Sequence, residues 1–109
     1  MIQASYEATE HHITLRGHAG AGIAGTDIVC AAASILMWTL IAAVQEQPEY
    51  HAHVTINELE PEMEVRCSPT EACTDGCTAL FEAFWLGFEL LEDNYPDNVR
   101  TERSIPWQQ

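Results

Sequence analysis

Seventeen consecutive residues, 28 to 44, carry no charged side chain in a chain of only 109, and nothing constrains the fold more. Such a stretch has to leave water. It falls short of the roughly 18 to 20 residues that cross a bilayer as a helix, Ser34 and Thr39 interrupt it, and no Lys or Arg flanks it. No membrane partner is expected; a helix buried inside a domain, or between two copies of it, is. Ala31, Ala32, Ala33, Ala42 and Ala43 permit close approach on more than one face, while Leu36, Met37, Trp38, Leu40 and Ile41 supply bulk. The helix should run from about Asp27 to Gln47, capped by Asp27 or Thr26 and stopped by Pro48.

Ile2, Ala4, Tyr6 and Ala8 alternate with polar residues, as do Ile13 and Leu15 beyond a polar turn at 9 to 11, which predicts a hairpin. A second hairpin places Val54 and Ile56 in one arm and Met63, Val65 and Cys67 in the other, across a turn from Glu58 to Pro61. Ser68-Pro-Thr-Glu71 reads as a capping box with Pro at the first helical position. It opens a helix in which Cys73, Cys77, Leu80, Phe81, Phe84, Phe88 and Leu91 keep helical spacing, and which fades near Asn94. Residues 96 to 109, with Pro96 and Pro106, show no period and read as a tail behind a single domain of residues 1 to 95. The expected fold is α+β: a β-β-α-β-β-α two-layer domain with a four-stranded, largely antiparallel sheet and two helices.

Composition narrows the function. Net charge is −13, with four arginines and no lysine, which argues against nucleic acid as a direct partner. It permits a basic partner, although the cluster Glu58, Glu60, Glu62 and Glu64 reads first as a solvated hairpin. Four cysteines behind an N-terminus that lacks a secretory pattern point to reduced thiols and a cytoplasmic protein.

His18 and Cys30 stand out chemically. Gly17, Gly20, Gly22 and Gly25 punctuate the segment between β-hairpin and helix, so a flexible loop is expected there. His18 opens it, and Cys30 follows in the helix, expected in its first turn. A helix start lowers a thiol pKa and offers N–H groups to an oxyanion. An imidazole delivered by the loop pairs with the thiol as base and acid. Asp27 is a candidate to orient the imidazole, cap the helix or contact substrate.

Gly17-His-Ala-Gly20 followed by Gly25-Thr-Asp-Ile-Val-Cys-Ala-Ala-Ala-Ser34 resembles the signature of the ribosomal-processing cysteine protease family Prp, in both halves and at its spacing. The resemblance implies that His18 and Cys30 form a catalytic dyad. It further implies a homodimeric endopeptidase, without cofactor, that removes a short N-terminal extension from a basic large-subunit ribosomal protein of a bacterium. The loop centre Ala21-Gly-Ile-Ala24 is smaller and less polar than is usual in that family. Three rival readings accompany this one. Related enzymes occur with phages, which makes a phage structural protein an alternative substrate; a dimeric adaptor would bind the ribosomal protein without cutting it; and Cys67, Cys73 and Cys77 with His51 and His53 could be imagined around zinc. The last is disfavoured because the ligand spacing lacks a paired C-x-x-C, so no metal is expected.

Overall fold

The computed structural model describes residues 1–17, 24–57 and 59–104, apart from the side chains of 24–27. Strands β1 (Ile2–Glu7) and β2 (His12–Arg16) form the first hairpin, followed by helix α1 (Ala24–Gln45). Strands β3 (His53–Asn57) and β4 (Glu62–Arg66) form the second, followed by helix α2 (Thr74–Asn94) and strand β5 (Val99–Ser104). The sheet order is β3-β4-β2-β1-β5. All pairs are antiparallel except β1 with β5, which is parallel.

The sheet therefore has five strands and is mixed, where four largely antiparallel ones were expected. The extra strand comes from residues read as a tail. Register explains why its pattern was hidden: Val99, Thr101 and Arg103 pair with Ile2, Ala4 and Tyr6 and share the helix-facing side. Only Val99 among the three is apolar. The other two are satisfied by partners from α2. Glu92 accepts from the Thr101 N–H at 3.1 Å and from its hydroxyl at 2.6 Å, and the Arg103 guanidinium donates to Glu82 at 2.9 Å while lying 5.0 Å from the Tyr6 ring centre.

Ile2, Ala4, Tyr6, Ile13 and Leu15 are buried as expected; β1 alternates, whereas in β2 the intervening Thr14 is buried too. Against them α1 packs Val29, Ala33, Met37, Leu40, Ile41 and Val44, and α2 packs Cys77, Phe81, Trp85, Phe88 and Leu91. Tyr6 stacks near-parallel on Phe81, with ring centres 6.2 Å apart, and lies 5.4 Å from Trp85. The helices meet where Gly87 lets Leu36 approach; a Cβ there would come within 2.8 Å of the Leu36 side chain. Ile28–Gln45 is long and apolar enough to cross a membrane by length and composition, yet its Val29, Ala33 and Met37 side is packed inside this domain.

Both helix starts differ from the expected ones. Helix α1 begins three residues before Asp27, because once a turn exists each further residue adds a hydrogen bond at little cost. The capping box at Ser68 does not form. Instead the Ser68 and Thr70 N–H groups bond the carbonyls of Tyr50 and Glu49, both at 2.9 Å, which holds this stretch extended. A single 3-10 turn, Glu71–Cys73, then leads into α2.

His11 takes the left-handed conformation at the end of the β1–β2 turn, with φ 47°. Its Nε2 shares a 2.8 Å hydrogen bond with the Thr78 hydroxyl, and its ring meets Phe81 edge-on. Burial holds the imidazole below its ordinary pKa. The unfolded chain therefore takes up a proton before the folded one, and stability falls as pH drops from about 6.5, the usual histidine value. Urea unfolding at pH 7.5 and 5.5 should show this loss in the native protein. His11→Gln, which retains a partner for Thr78, should flatten it.

Candidate active site

Strand β2 ends at Arg16, and the next residue, Gly17, has φ +91° and donates its N–H to the Pro61 carbonyl at 2.9 Å. A Cβ on Gly17 would run into the Met1 carbonyl oxygen. Glycine is thus required here by both conformation and space. On the helix layer above, Val29 and Ala33 plug the core, and this turns Cys30 toward a cleft between α1 and the ends of β2, β3 and β4. The cleft measures about 200 Å³. Apolar Ile2, Leu15, Ala33, Pro61 and Met63 form most of its lining, with Ser34, Asn57 and Glu62 adding polar groups.

Cys30 is half-buried and borders that cleft, an arrangement open to an extended apolar peptide. Cys73 is half-buried too but does not line the cleft, and the remaining two thiols differ in burial. Cys67 and Cys77 are buried in the core; burial first, then the Cys77 neighbour, pushes the Cys67 thiol up to about 12. Burial also raises Cys77. A thiol so raised is not a nucleophile near neutrality. No disulfide joins any of the four.

Cys30 is the seventh residue of α1, not a residue of its first turn, because the helix starts at Ala24. Helix-end electrostatics fade within the first turn, and N–H groups beyond the fourth residue already have intrahelical partners. The expected thiol activation and oxyanion contacts from a helix start therefore do not apply at Cys30. Gly25 belongs to α1 and not to the loop. The backbone of Asp27 is also in α1 rather than at its cap, and its side chain lies outside the described residues, as do His18, Gly20 and Gly22. Of the loop glycines, Gly17 is the one that the structure places on the cleft.

Sequence reasoning did not single out Asn57, Pro61, Met63 or Ser34 as cleft residues. Their signals were ordinary ones of turn, strand and helix, and it takes the pairing of β4 with β2 and β3 and the docking of α1 on the sheet to bring them together. His51 does not join His53 on a strand; it terminates a 3-10 turn and its Nδ1 donates to the Ser68 carbonyl at 2.9 Å. Among the described residues, the group with ligand atoms close enough for a metal is Glu7, Glu10 and His12, with no cysteine. His12 there is already engaged: Arg66 donates to its Nδ1 at 3.3 Å and its Nε2 faces Glu64 at 2.9 Å. Glu62 pairs with Arg16 at 3.5 Å. Two of the hairpin glutamates thus serve the sheet's own outer face, which leaves less charge for steering a basic partner.

The family model described as cysteine protease Prp matches residues 1–100. A crystal structure of the ribosomal processing protease Prp from S. aureus with a covalently linked product peptide superposes with a TM-score of 0.79 at 19% identity, over 95% of this chain and 100% of that one. The same S. aureus protease with a substrate peptide gives 0.79 at 18% identity over the same shares. A protein from Streptococcus mutans gives 0.77 at 30% identity, over 94% of this chain and 93% of that one. No functionally curated protein matches significantly.

Gly17→Ala should cost about 1 to 3 kcal/mol from the left-handed backbone alone, with the Met1 contact adding to it. A denaturant midpoint close to that of the native protein would contradict this account of the strand end.

Proposed function

This chain belongs to the cysteine protease Prp family, and on that basis we propose that it is a cytoplasmic cysteine endopeptidase that trims a short N-terminal extension from a basic large-subunit ribosomal protein of its own bacterium. Cys30 is the nucleophile and His18 its base and acid. The observation that carries the reading is the half-buried Cys30 on an apolar cleft whose rim, at Gly17, leads in one residue to His18. The S. aureus relative, with peptide bound in two states, supports a peptide as the occupant.

In this scheme the Cys30 proton passes to His18 and the sulfur attacks the scissile carbonyl carbon, forming a C–S bond. The C–N bond then breaks as His18 returns the proton to the leaving amine. A water deprotonated by His18 attacks the thioester, and the C–S bond breaks to release the carboxylate and restore the thiol. Apolar side chains of the extension fit the Ile2, Leu15 and Met63 surface beside Cys30. Neither a metal nor a cofactor enters these steps.

The working form is a homodimer in this proposal. Ile28, Ala31, Ile35, Trp38 and Ala42 repeat at spacings of three and four along the exposed side of α1. Ile28 and Ile35 are each 63% exposed, and Leu86 and Leu90 of α2 extend the apolar area. A second copy is a fitting cover for such a surface.

Incubation with the extended ribosomal protein, read by mass spectrometry, should yield one new N-terminus. Cys30→Ser and His18→Ala should each fold and lower cleavage by at least about a thousandfold. Retained cleavage in Cys30→Ser would refute the nucleophile, whereas binding without cleavage by the native protein would favour an adaptor. Ile35→Glu with Trp38→Glu should sediment as a monomer; an unchanged native dimer would place the interface elsewhere.

A further inference from the structure

We propose that Asn57 is a positioning residue for His18, acting through the β3–β4 turn on the point where the chain leaves the sheet. The inference rests on the reading of His18 and Cys30 as the reacting pair. Asn57 ends β3, and its Oδ1 accepts N–H bonds from Leu59 at 3.0 Å and Glu60 at 3.3 Å. Such side-chain acceptance folds a chain back on itself over two or three residues. The turn delivers Pro61 to the start of β4, whose register with β2 sets it opposite Gly17, and its carbonyl takes the Gly17 N–H at 2.9 Å.

Gly17 is held from the other side as well. Its α-carbon faces the Met1 carbonyl so closely that no side chain fits. The last residue before His18 is therefore clamped between an acceptor that the Asn57 turn supplies and a wall that the start of β1 supplies. Consecutive α-carbons sit about 3.8 Å apart across a rigid peptide, so a shift at Gly17 passes to the His18 backbone. Asn57 and Pro61 also line the Cys30 cleft. The turn thus ties the strand end that precedes the base to the wall beside the nucleophile, and it does so without Asn57 touching the reacting atoms.

The test compares native protein, Asn57→Ala and Asn57→Asp on the peptide that the native protein cleaves, together with hydrogen exchange at the Gly17 amide by NMR. Asn57→Ala should lower kcat about ten- to a hundredfold, the scale expected of a small misplacement, with KM little changed. It should also speed exchange at Gly17 while core amides stay protected. Asn57→Asp, which keeps the acceptor, should recover most of kcat. If Asn57→Ala does not fold, Asn57→Ser, with its shorter acceptor, carries the same measurements. Native kcat in the variant, a loss confined to KM, or reduced kcat with unaltered Gly17 exchange would overturn the proposal. Undiminished cleavage by His18→Ala or Cys30→Ser would overturn instead the reading beneath it.

Discussion

Everything in this fold follows from how α1 is kept from water. Its Val29, Ala33, Met37, Leu40, Ile41 and Val44 side is buried in the core, and at roughly 1.5 to 3 kcal/mol per large apolar side chain that contact is a major part of the core beside Phe81, Trp85 and Phe88 of α2. The contact also sets the helix's rotation. With Val29 and Ala33 pointing into the core, Cys30 is turned to the edge of the layer, over the ends of β2 and β4, where a cleft is left. Reactivity is here a by-product of packing: the residue beside a core plug becomes the residue beside a substrate.

The same packing sorts three of the four cysteines. Cys67 and Cys77 enter the hydrocarbon layer, where burial disfavours the thiolate. Cys30 is kept at its border. Sulfur content alone would not separate them, because free cysteine is by default a small buried hydrophobe. What separates them is place: Cys77 on the inner side of α2 and Cys67 just beyond β4 are sealed into the core, while Cys30 sits at the edge of α1 on the cleft.

Polar groups are arranged on the opposite principle. The outer sheet face is a lattice of cross-strand pairs, Arg16 with Glu62 and His12 with Glu64 and Arg66. Exposed pairs of this kind contribute little stability, yet they define which side of the sheet faces solvent. On the inner side, Glu92 of α2 satisfies the half-buried Thr101, and Glu82 pairs with the exposed Arg103. Strand β5 is consequently held by α2 as much as by β1.

By itself the sequence determined the two hairpins, because alternation in Ile2 to Tyr6 and Met63 to Cys67 is a local consequence of the pleat. It also determined the two helices, α1 through an uncharged run whose backbone can be satisfied only by internal hydrogen bonding and α2 through apolar residues at helical spacing, and it marked the His18 and Cys30 motif by spacing. Tertiary structure decided what local pattern does not encode. The start of α1 moved ahead of Asp27 and took Cys30 beyond the reach of the helix end. The extended backbone at Ser68 won over a capping box because Tyr50 and Glu49 offered carbonyls. The fifth strand formed from residues with almost no apolar period because distant carboxylates satisfied it. In the last two cases the deciding partner belongs to another element, so its energy enters only when the chain is folded.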